Sequence, residues 1–76
     1  TMLHVLVLRD EECPRCDEVM QQLRSLKSRF PSLHLRERLL DSEPELATRL
    51  GVTASPAIVV NHQLAFQGLP DPEMLQ

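Results

Sequence analysis

The sequence predicts a single α/β domain in which a four-stranded mixed sheet is flanked by helices, in the order βαβαββα. Three observations carry that expectation. An apolar run from Leu3 to Leu8, interrupted only by His4, has the length and character of a central strand covered on both faces. A helical period follows it and stops at Pro31. Near the end, two short strand-like runs are separated only by Asn61-His62, a tight-turn pair.

Each element has its own justification. After the first strand, Arg9 to Glu12 forms a polar exit loop. From Pro14 the apolar positions Val19, Met20, Leu23, Leu26 and Phe30 keep helical spacing, which predicts one buried stripe. Pro14 suits the first helical position because its fixed φ is helical and its missing N–H is not needed there. Leu33, Leu35 and Leu39 alternate with polar residues, although Glu37 breaks the set, so this second strand is expected at an edge. Ser42-Glu43-Pro44-Glu45 reads as a capping box opening a two-turn helix with Leu46, Ala47 and Leu50 inward and Gly51 as its terminator. Ala57 to Val60 and Gln63 to Gln67 form an antiparallel hairpin, the second strand carrying Leu64 and Phe66 at alternate positions. Asp71-Pro72 starts a last helix running to Gln76. A strand, crossover helix and strand make the parallel pair, and the hairpin adds the antiparallel edge.

At 76 residues the chain has room for one domain, spanning 1–76, near the lower limit for a self-sufficient core. Its formal charge is −3, with acidic and basic residues interspersed, so neither nucleic acid nor a membrane surface is an expected partner. No apolar run approaches a membrane span, and nothing resembles the basic-apolar-small order of a secretory signal. Met2 reads as the natural start behind an added Thr1, and a cytoplasmic, monomeric protein is the expectation.

The chemistry is concentrated in Cys13-Pro14-Arg15-Cys16, placed between the first strand and the first helix. A helix N-terminus presents unsatisfied N–H groups and about half a positive charge, which stabilises a thiolate there and lowers its pKa. Cys13 is thus the expected nucleophile. Cys16, within the same first turn, is the resolving thiol. As a structural staple the bridge would enclose only two residues and stabilise little. A zinc site would need two further ligands, and His4, His34 and His62, widely separated in sequence, are explained more cheaply as strand-edge or turn residues. No metal site is therefore expected, and the redox-active disulfide itself is the only redox group. A soft ion such as Cu(I) held by the two thiols, or a redox-switched binding module, remains the competing class.

With these elements in place the chain resembles the thioredoxin-fold superfamily, in particular its small glutaredoxin-like and thioredoxin-like members. The resemblance rests on the strand preceding Cys13-Pro14-Arg15-Cys16, on Gly51-Val52-Thr53-Ala54-Ser55-Pro56 leading into Ala57-Ile58-Val59-Val60, and on Phe66-Gln67-Gly68-Leu69-Pro70. It implies a cis Ser55-Pro56 bond facing the dithiol, which would turn the Ser55 backbone outward to pair with an extended substrate segment. It further implies a thiol-disulfide oxidoreductase and electron carrier, acting on a protein disulfide and recharged by an upstream reductant. Substrate would be bound by Pro14, Arg15, Ser55, Pro56 and Gly68, with Leu69 beside them.

Departures from the family pattern bear on glutathione as a cosubstrate. Asp10 stands where glutaredoxins usually place a lysine for a glutathione carboxylate, and Arg15 replaces their aromatic residue, while Gly68 and Asp71 retain part of the glutathione-contacting region. Thioredoxins place tryptophan before the motif, where this chain has Glu12, and bury an aspartate in a strand that here is apolar. Asp10, Glu11 and Glu12 oppose thiolate formation at Cys13, against the helix end and Arg15, so a reductant or intermediate couple is expected rather than a strong oxidant.

Overall fold

A computed structural model describes residues 2–68. The strands are β1 (Leu3–Arg9), β2 (Leu33–Leu39), β3 (Ala57–Val60) and β4 (Gln63–Gln67), and the helices are α1 (Pro14–Arg29) and α2 (Pro44–Leu50). They form one sheet in the order β2-β1-β3-β4, with β1 parallel to β2 and antiparallel to β3, and β3 antiparallel to β4. The apolar run is therefore central, and β2 is an edge strand, as its polar alternation requires. The expected final helix at Asp71 lies outside the described residues.

Strand alternation sorts the core into two faces. Leu8, Ala57 and Val59 are buried on one face, where Leu6, Leu46, Leu50, Val52 and Leu64 pack around them. On the other face lies α1, whose Val19, Leu23 and Leu26 share a groove with Ile58 and Phe66. The first two turns of α1 are the well-covered ones: Cys16, Val19 and Met20 are buried.

Three local expectations are corrected. Phe30 is not core but 55% exposed, because it is the C-cap residue and its backbone (φ −128°, ψ 84°) has left the helical stripe. Ser42 does not form a capping box. A 3₁₀ turn, Leu40–Ser42, precedes α2, the Ser42 hydroxyl donates to the Leu39 carbonyl at 2.8 Å, and Glu43 becomes the N-cap without a side-chain bond. Leu64 and Phe66 do not share a face. Val59 pairs with Leu64 and Ile58 with Phe66, and this shift of register at Ile58/Val59 turns Leu64 to the α2 side and Phe66 to the α1 side. As expected, His34 lies in the edge strand β2 and His62 in the hairpin turn, and His4 stacks with both.

The turns follow the sequence closely. Gly51 closes α2 with φ 78°, and the Val52 N–H donates back to the Ala47 carbonyl at 2.9 Å. Asn61 and His62 both have positive φ (48° and 70°), the geometry of a two-residue hairpin turn whose twist matches its strands.

Candidate active site

The site is assembled by sheet topology. Because β1 and β3 are antiparallel with Leu8 opposite Ala57, the loop leaving the end of β1 and the loop entering the start of β3 lie side by side. The first carries Cys13, the second Ser55 and Pro56. The Ser55-Pro56 bond is cis and Pro56 is fully buried.

Cys13 and Cys16 form a disulfide with a Cα–Cα distance of 5.1 Å. Cys13 is the N-cap of α1, in extended backbone (φ −148°, ψ 93°), and its Sγ accepts the Cys16 N–H at 3.0 Å. Its carbonyl accepts the first intrahelical bond, from the Asp17 N–H at 3.0 Å. Pro14 fills the first helical position, where no N–H is missed. The two sulfurs differ sharply in access. Cys16 is 0% exposed, packed beneath the helix, whereas Cys13 is only half-buried. Arg15, between them, is half-buried on the first turn.

Three residues that the sequence left without a role shape this end of the fold. Arg9, with 12% of its side chain exposed, bonds the Asp17 carboxylate at 2.7 Å and the Glu37 carboxylate at 2.9 Å. Its Nε donates to the Asp10 carbonyl at 2.9 Å and its Nη2 to the Glu11 carbonyl at 3.3 Å. One guanidinium thus holds the dithiol loop against the first turn of α1 and against β2, and its bonds to the two carboxylates raise its pKa further above the ordinary arginine value. A planar five-donor fork can serve four acceptors at once; an ammonium cannot. Only the approach of β2 brings Glu37 there, which is why strand periodicity recorded Glu37 merely as a break in the apolar set.

The acidic run before Cys13 is also more than a solvated loop. The Ser55 hydroxyl donates to the Asp10 carboxylate at 2.7 Å, linking the proline loop to the dithiol loop. From the other side, β4 secures the proline loop: Gln67 Oε1 accepts the Thr53 N–H at 2.8 Å and the Gly68 N–H donates to the Pro56 carbonyl at 3.0 Å. Gly68 has φ 55°, and a Cβ there would lie 2.8 Å from the Ala54 Cβ. Cys13 at the N-cap with Pro14, Arg15 and Cys16 in the first turn of α1, Ser55 and Pro56 in the adjoining loop, and Gly68 as the residue that braces that loop therefore lie at one end of the sheet. Leu69 and Asp71 lie outside the described residues.

No family model and no curated protein sequence matches the chain. Solved structures do match it in fold. The thioredoxin of Fasciola hepatica superposes with a TM-score of 0.72 at 20% identity, over 97% of this chain and 75% of that one. The oxidized mitochondrial thioredoxin 3 of Saccharomyces cerevisiae gives 0.71 at 24% identity, over 96% and 72%. The N-terminal domain of alkylhydroperoxide reductase from Enterococcus faecalis gives 0.72 at 22% identity, covering 78% of this chain and 28% of that one.

Proposed function

We propose that this chain, which has the thioredoxin fold, is a thiol-disulfide oxidoreductase whose working pair is Cys13 and Cys16. The observation that carries the proposal is the unequal placement of the two sulfurs: Cys13 half-buried at the helix cap, Cys16 wholly buried within reach of it. That asymmetry supplies an attacking and a resolving thiol.

In the reduced protein a Cys13 thiolate attacks one sulfur of a substrate disulfide. A mixed disulfide forms and the first substrate thiolate leaves. The Cys16 thiolate then attacks the Cys13 sulfur, restoring the internal bridge and releasing the second substrate thiolate. Two electrons have passed from the dithiol to the substrate, and an upstream dithiol or thiol reductant must return them. The Cys16 N–H that meets the Cys13 sulfur in the disulfide is placed to meet a thiolate in the same position, which favours the charged, nucleophilic form. Pro56 and the Ser55 backbone, on the loop joined to the dithiol loop by the Ser55–Asp10 bond, would align an extended segment of a protein substrate, with Pro14, Arg15 and Gly68 bordering it. The protein would act as a cytoplasmic monomeric electron carrier. With Asp10 engaged by Ser55 and no lysine at its position, glutathione would serve as a poor partner.

The test is a redox titration of metal-free protein in dithiol and glutathione buffers, followed by alkylation mass shift. A reversible two-electron couple between about −180 and −270 mV supports the proposal, provided Cys13→Ser abolishes disulfide reduction. Full activity in Cys13→Ser rejects it. Stoichiometric retention of Cu(I) by the reduced protein would instead support a metal carrier.

A further inference from the structure

His4 lies near the start of β1, whereas the dithiol loop follows its end, so the stacked histidines stand at the opposite end of the sheet from the disulfide. Their grouping is built rather than incidental. His4 and His34 are register partners in the parallel β1/β2 pair. Asn61 clamps the hairpin turn to the same point: its N–H donates to the His4 carbonyl at 2.8 Å and its Oδ1 accepts the His4 N–H at 2.9 Å. That clamp brings His62 alongside. The ring centroids of His34 and His62 lie 5.0 and 6.3 Å from that of His4, with planes inclined by 21° and 23°.

The row borders a cavity of about 300 Å³. Leu6, Leu46, Leu50 and Val59 provide its apolar floor, and Arg36 and Arg49 join the histidines at its rim. Among the described residues no carboxylate lines it and neither arginine makes an ion pair. In a chain of net charge −3, such a rim is matched to an anion and its floor to hydrocarbon. A metal ion does not fit, because nearly parallel stacked rings aim their nitrogens along separate planes instead of at one point about 2 Å from each. A doubly charged phosphate would have to surrender strong hydration against an apolar floor, which favours a singly charged head group.

We propose that this cavity binds a small amphipathic carboxylate, its alkyl or aryl body on Leu6, Leu46, Leu50 and Val59 and its carboxylate between Arg36, Arg49 and the imidazoles. The site is independent of the dithiol chemistry.

The test is an amide NMR titration of the full oxidised chain with octanoate as probe. Expected are saturable shifts at Leu6, Arg36, Leu50 and Val59, with octanol and octyl phosphate each binding at least about fivefold more weakly. An Arg36→Gln/Arg49→Gln double variant should weaken octanoate about tenfold and leave octanol unchanged. Replacing His4, His34 and His62 together by glutamine should likewise weaken octanoate and leave octanol unchanged. The charged and titratable groups lining the site are His4 from β1, His34 and Arg36 from β2, Arg49 from α2 and His62 from the turn. Octanol or octyl phosphate binding as well as octanoate, unchanged affinity in the double or the triple variant, shifts centred on Leu23, Ile58 and Phe66, or no saturable shift up to about 10 mM would each overturn the proposal.

Discussion

The Ser55 hydroxyl donates a 2.7 Å hydrogen bond to the Asp10 carboxylate across 45 residues of sequence, and this bond joins the loop bearing the cis proline to the loop bearing the dithiol. It gives Asp10 a positioning role that charge counting had assigned to thiolate tuning.

Removing either end of that bond should loosen the site without abolishing its chemistry. Asp10→Ala and Ser55→Ala are each expected to lower kcat/KM for a protein disulfide two- to fivefold, about 0.5–1 kcal/mol for a charge-assisted bond at an exposed position. The double variant should lose no more than either single one. Simple additivity in this double-mutant cycle would show that the two residues act separately.

Arg9 should prove the most important charged residue of the fold. Arg9→Met leaves Asp17 and Glu37 without their shared cation and two loop carbonyls without donors, at a cost of about 1–3 kcal/mol in urea unfolding. Arg9→Lys should recover less than half of it, because one ammonium cannot span four acceptors in a fixed plane. The arginine's raised pKa also fixes the sign of any pH effect. Its contribution is fully present below the ordinary arginine value and is lost only as pH rises through the still higher folded value.

The two glycines should differ on substitution. Gly51 has φ 78° with nothing within 4 Å of an added Cβ, so Gly51→Ala should cost only the left-handed backbone preference, about 1 kcal/mol. At Gly68 the same preference is joined by a 2.8 Å approach to the Ala54 Cβ, and Gly68→Ala should cost distinctly more. In melting temperature the difference should amount to several degrees for a domain of this size. Equal melting points would mean that the proline loop yields to Gly68 without strain.

Access should separate the two thiols of the reduced protein. Cys13 is half-buried at the helix end and Cys16 is 0% exposed, so iodoacetamide should modify Cys13 at least about tenfold faster. Peptide mass mapping at low conversion reads the ratio directly. Preferential labelling of Cys16 would reverse the assigned roles.

Much of this was legible from local pattern. Leu3 to Leu8 read as a central strand because a strand buried on both faces leaves no polar alternation, and α1 read as a helix because its stripe, Pro14 and Pro31 agree. The positions of Gly51 and of Asn61-His62 announced their turns because few residues tolerate positive φ. Where local pattern misled, neighbours distant in sequence had intervened: the shifted register of β3 and β4 divided Leu64 from Phe66, and a 3₁₀ turn took Ser42 out of the cap.

By itself the sequence determined the order of the elements and the location of the dithiol at a strand-to-helix junction, since period, cap and turn preferences act over a few residues. Only the tertiary structure decided that Ser55 meets Asp10, that Arg9 meets Glu37, and that three histidines scattered along the chain form one row. Those meetings depend on strand order and register, which are settled by packing across the whole sheet and leave no mark in the residues on either side of each partner.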